Sequence, residues 1–88
     1  MAVWGMDIQQ VKELAALLGQ KASDVDGIIS TITSKLNATQ WEGPDAQKFR
    51  SDWSGQHTQQ LKSVAEALRA TQTAANKNAA EQETTSGS

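Results

Sequence analysis

The residues predict an all-α fold: an antiparallel helix-turn-helix hairpin that dimerises into a four-helix bundle. Three observations predict it. Two long stretches carry apolar residues at alternating steps of three and four, a helical period that a strand cannot produce. Between them, almost at the midpoint of the 88 residues, Trp41-Glu42-Gly43 runs straight into Pro44-Asp45-Ala46. A glycine followed by a proline at a helix start suits a tight corner. The two stretches also differ in apolar content, so one cannot cover the other.

The first helix is expected over about 7–37. Asp7 with Gln10 three residues on is a capping-box pattern, with Asp in place of Ser or Thr. The apolar series is Ile8, Val11, Leu14/Ala15, Leu18, Ala22, Val25, Ile28/Ile29, Ile32 and Leu36. Gly19 and Gly27 each weaken a helix by roughly 1 kcal/mol relative to alanine. Both are expected on its polar side, as slight bends.

The turn is expected over about 38–43. Gly43 is there for its backbone, allowing a conformation that a side chain would resist. Pro44 then opens a second helix, expected over about 44–80. Asp45 sits near the positive end of its dipole. The apolar series is Ala46, Phe49, Trp53, His57, Leu61, Val64, Leu68, Thr71 and Ala75. The hairpin as a unit spans 1–83. Residues 84–88, Thr-Thr-Ser-Gly-Ser, read as a disordered tail.

The imbalance between the arms implies a partner. Helix 1 carries ten large aliphatics, including Leu14, Leu17, Leu18, Val25, Ile28 and Ile32. Helix 2 carries five large apolar residues: Phe49, Trp53, Leu61, Val64 and Leu68. The first apolar face covers roughly half the helix circumference and the second roughly a third. Leu17 and Ile28 lie toward one margin of helix 1, well round from Ile8, Ala15 and Ala22 at the other. One margin would face helix 2 and the other would be left for a second chain. These large residues, with His57, are the candidate hairpin or dimer interface. The partner is either a second copy or a related small helical protein.

Composition narrows the function. There is no cysteine and a single histidine, so disulfides are excluded and a metal centre is not expected. The net charge of −2 comes from interspersed signs with no basic block. That argues against a nucleic-acid surface and gives no polybasic membrane signal. Polar faces rich in Gln, Ser and Thr are weak support for a membrane-active role. Met1–Asp7 lacks a basic region followed by an apolar stretch, so no cleaved secretory signal is expected.

No cofactor and no enzyme are expected. Ser54 and His57 lie three apart, but no orienting group completes a catalytic set. His57 reads as a seam histidine, and Gln56 and Gln60 as candidates for hydrogen bonds that fix register. Asp24 and Asp26 read as solvated charge. Lys62–Glu66 and Glu66–Arg69 read as pairs on one helix surface. Trp41 has two compatible roles: closing the hairpin's open end, and recognition by another protein. Trp4 is expected to staple the helix start or meet a partner.

Trp41-x-Gly43, with Ala46 and Phe49 behind it, resembles the WXG family of early-secreted-antigen-like proteins. The stretch from Trp41 to Trp53 looks like actinobacterial members. The resemblance spans Met6 to about Glu83. It implies a hairpin that homo- or heterodimerises as a four-helix bundle. It also implies export without a cleaved signal by a type VII secretion system driven by a membrane ATPase. Members act as secreted effectors, partners of larger substrates or export adaptors, and Trp41 and Gly43 would carry the motif. One departure stands out. The family's export signal pairs a tyrosine with an acid four residues later, and this sequence has no tyrosine. Lys77-x-x-x-Glu81 and Ala79-x-x-x-Glu83 keep only the acid. Either a partner chain supplies the signal, or the tail is read differently, or the chain is a cytoplasmic dimeric adaptor that is not itself exported.

Overall fold

The computed structural model describes residues 5–87, with side chains as far as Thr84. Trp4, and the roles expected of it, lie outside the described residues. Helix α1 spans Ile8–Asn37. The second arm is continuous but not uniform: α2 spans Pro44–Asp52, a π turn spans Trp53–His57, and α3 spans Thr58–Gly87. There is no strand among the described residues. The arms fold back on each other as a hairpin, and the molecule is a slab of 65 × 18 × 13 Å.

The capping residues act as their chemistry requires. The Asp7 carboxylate accepts from the Gln10 backbone N–H at 2.9 Å, which satisfies a donor left over at the start of α1. Pro44 occupies the first turn of α2, where a missing N–H is harmless.

The core departs from the expected one. The fully buried side chains are not the large aliphatics but Ala15 and Ala22 of α1, Ala46 of α2, and Ala65 and Ala79 of α3. Trp53 is the one large buried side chain among the described residues. Small residues along the seam let two helix backbones approach closely, and the bulky side chains are displaced to the flanks. Leu18, Val25, Leu61, Leu68 and His57 are half-buried there.

Gly19 belongs to the same seam, which corrects its expected place on the polar side. A Cβ at position 19 would lie 2.6 Å from Gln72 Oε1 and 2.7 Å from its Cδ. Gln72 sits midway between Ala65 and Ala79 on α3 and fills the gap the glycine leaves. Gly27 does face open space.

The π turn solves a phase problem that the step-four series Phe49, Trp53, His57, Leu61 concealed. Trp53 and Ala65 are twelve positions apart. On an unbroken α-helix that places them about 120° apart, so both could not face α1. A π turn absorbs one residue and reduces the offset to about 20°. Hydroxyls add second bonds to carbonyls at the wide turn, which also accept backbone N–H groups. Thr58 Oγ1 donates to the Trp53 carbonyl at 2.6 Å, and Ser54 Oγ donates to the Arg50 carbonyl at 2.9 Å.

Two further expectations are corrected. The tail expected at 84–88 is helical as far as Gly87. Thr84 Oγ1 donates to the Ala80 carbonyl at 3.0 Å, and Glu83 pairs with Lys12 of α1. Arg69, expected to pair with Glu66 on its own helix, donates instead to Asp26 on α1 at 2.6 Å. Asp26 is therefore half of a cross-arm pair. Asp24 lies 3.4 Å from Lys21.

Candidate interaction surface

The two edges of the seam are chemically opposite. Along one edge of α1, Lys12, Gly19, Asp26 and Thr33 recur every seven residues, and each meets the second arm. Lys12 pairs with Glu83, Gly19 abuts Gln72, and Asp26 takes Arg69. The Thr33 hydroxyl accepts the Trp53 indole N–H at 2.9 Å. This edge is stapled by polar contacts.

The opposite edge is apolar and open. Leu14 (50% exposed), Leu17, Ile28 (46%) and Ile32 stand out from α1 with no covering element. Their spacing keeps them on one face over five turns. Val64, also half exposed, lies about 140° round α3 from Arg69, and so on the same open side. A typical soluble monomer does not leave so continuous a row of aliphatic side chains in water. The candidate interface residues therefore fall into two sets. Trp53, His57, Leu18, Val25, Leu61 and Leu68 serve the hairpin. Leu14, Leu17, Ile28, Ile32, Phe49 and Val64 remain exposed.

At the corner, the open edge ends in aromatic rings. Trp41 is 41% exposed and packs on Phe49, with ring centroids 6.1 Å apart. Phe49 in turn stacks on Trp53 at 6.3 Å. Thus Trp41 covers the turn end of the hairpin, as part of a three-ring ladder that leads from the surface to the core. A groove of about 260 Å³ lies between these rings and α1, lined by Ile32, Lys35, Leu36, Thr39, Trp41 and Phe49.

The corner's backbone is held by two residues. Gly43 has φ 117° and ψ 176°, a region that side-chain-bearing residues rarely enter. Nothing lies within 4 Å of where its Cβ would be, so conformation rather than space demands glycine. Arg50 donates from one guanidinium nitrogen to the Trp41 carbonyl at 2.6 Å and from the other to the Thr39 carbonyl at 3.0 Å. Its planar fork reaches two loop carbonyls at once, which a lysine does not do. Arg50 lies outside the apolar series, so no periodicity marks it. Thr33 and Gln72 recur in heptad phase with the seam but are polar, so the apolar pattern leaves them out.

His57 is half-buried, and the Ser54 hydroxyl is engaged with backbone carbonyls of Arg50 and Ser51. Gln56 and Gln60 are exposed rather than in the seam, where the glutamine present is Gln72, packed against Gly19. Among the described residues no cluster of His, Asp and Glu suits a metal ion. No helix there is long and apolar enough to cross a membrane. On the surface of α2, Lys48 donates to Asp52 at 2.7 Å. That bond lowers the Asp52 carboxyl below its ordinary range and raises the Lys48 ammonium above its own.

Compared with family models, curated proteins and solved structures, the chain matches none of them.

Proposed function

We propose that this chain is a non-enzymatic, WXG-like protein that acts through helix-bundle contacts. It is exported by a type VII secretion system, or serves as partner or adaptor for that system's substrates. One observation carries the reading. A Trp-x-Gly corner turns two amphipathic helices whose shared open edge is apolar from Leu14 to Trp41. A hairpin with an alanine seam buries little apolar surface for its length, and small scaffolds of that kind gain stability by association. The partner is a second copy or a related small helical protein. Trp41 and Gly43, at the corner, are the proposed export-recognition end.

The test is secretion itself. Tagged protein is followed in cells and culture filtrate of the native host, with and without the membrane ATPase of the secretion system. The reading expects filtrate protein that disappears with the ATPase. Retention of the whole pool in intact cells would refute export. It would favour the second reading, a cytoplasmic dimeric adaptor, for which the missing tyrosine speaks. A bilayer-active role is separated from both by liposome leakage at neutral and acidic pH.

A further inference from the structure

The second arm holds two runs of seam residues, each in phase with itself but not with the other. Ala46 and Trp53 are seven apart, as are Ala65, Gln72 and Ala79. Seven residues return a helix to within about 20° of the same face. The π turn at Trp53–His57 is what lets both runs meet α1. Such turns are rare and sit as single wide turns inside α-helices. This one contains Gly55, which lowers helix propensity and has nothing within 4 Å of where a Cβ would be. One side-chain bond belongs to the wide turn alone. Thr58 Oγ1 donates to the fifth carbonyl back, that of Trp53, whereas the hydroxyls of Thr39, Thr71 and Thr84 reach the fourth.

The corner beyond that turn is loosely held. α1 packs closely on α3 and far less on α2. Arg50 ties α2 to the turn, through the Thr39 and Trp41 carbonyls, and Lys48–Asp52 is internal to α2. What seats the corner on α1 is Ala46, Trp53 and the indole bond to Thr33. Hollows of about 290 and 260 Å³ lie between it and the last turns of α1. We infer that the π turn is a two-state joint. In the docked state it is wide, and Trp53 lies in the seam. In the released state it closes to an ordinary α-helix and gives back the residue it absorbs. α2 then turns by about 100° relative to α3, which carries Trp53 off α1. Phe49 and Trp41, stacked in series on Trp53, travel with it. A partner that grips these rings draws the joint toward release; that step rests on the proposed recognition role of the corner, whereas the joint itself does not.

The experiment is hydrogen exchange followed by NMR on the full-length chain, at one protein concentration. The Trp53 indole N–H, bonded to Thr33 only when docked, reports release. In wild type it is expected to exchange at least about tenfold faster than the slowest amides of residues 65–79, at a rate that low urea leaves unchanged, the mark of a local opening. Deleting Gly55 sets Trp53 and Ala65 eleven apart, about 20° on an unbroken helix, so the seam is met without a π turn. That variant is expected to keep wild-type helicity by circular dichroism and to slow the indole proton to the pace of the α3 amides. Thr58→Val removes the bond peculiar to the wide turn. It is expected to quicken the indole proton about fivefold and leave the amides of residues 65–79 unchanged. A wild-type indole proton that exchanges only as fast as those amides overturns the inference. So does a Gly55 deletion that fails to fold or leaves the indole as fast as before. So does a Thr58→Val variant in which indole and α3 amides quicken together. Export is scored independently. Local opening in a chain retained by the cell leaves the joint standing while the proposed function falls, and a secreted chain without the opening does the reverse.

Discussion

Replacing Trp53 by alanine removes the one large side chain that the described hairpin buries. Trp53 is 7% exposed, stacks on Phe49 and donates its indole N–H to Thr33. A tryptophan so buried withdraws roughly 200 Å² from water. At about 25 cal/mol per Å² this is roughly 5 kcal/mol, an upper bound because unfolded chains are not fully extended. Truncation of buried aromatics costs about 3–5 kcal/mol. We therefore expect Trp53→Ala to lose about 4 kcal/mol. A domain of this size has a total stability of about 4–13 kcal/mol. The variant should thus melt about 15–30 °C lower or fail to fold. The assay is urea unfolding followed by circular dichroism at one fixed protein concentration, since association adds stability with concentration. Thr33→Val tests the hydrogen bond separately. It should cost about 1 kcal/mol in the native background, where the indole N–H loses its acceptor, and near zero in a Trp53→Phe background. Two results would refute the reasoning: a loss below about 1 kcal/mol for Trp53→Ala, or an equal effect of Thr33→Val in both backgrounds.

Four other outcomes are expected. Gly43→Ala should destabilise by about 1–3 kcal/mol through backbone strain alone, because open space surrounds the site; thermal melts of the variant decide it. Gly27→Ala should stabilise by about 0.5–1 kcal/mol, whereas Gly19→Ala should gain less, because its methyl must displace the Gln72 amide. Adding Gln72→Ala should return the missing gain. Arg50→Lys should keep the charge but release the loop, read as faster amide hydrogen exchange over residues 38–43 with the α3 amides unchanged. The Asp52 carboxyl is lowered, first by its hydrogen bond from Lys48. Its contribution is therefore complete above the ordinary carboxylate range and fades as pH falls through the lowered value. Asp52→Asn should remove that small acid-side slope, and an unchanged acid limb would count against the bond in solution.

The class of fold, the corner and its caps are legible in the residues alone. Helical period, Asp7, Gly43 and Pro44 act locally, through backbone conformation and nearby hydrogen bonds, so no distant partner need be known to read them. The residues also show that one arm is too apolar for the other. Which residues touch depends on how the two arms pack. Helical phase is kept only while the helix is regular, and the π turn at Trp53–His57 advances it by one residue. Burial along the seam is a property of two surfaces at once, so alanines and a glycine, rather than the large aliphatics, take the closest approach. For the same reason Thr33 and Asp26 became structural residues only when the second arm brought them a partner, Gln72 when α1 lay against it, and Arg50 when the turn brought its carbonyls within reach. The row from Leu14 to Ile32 was legible as apolar from its spacing. That it stays open came from the packing, which uses the polar edge of α1 for the hairpin and leaves the apolar edge in water.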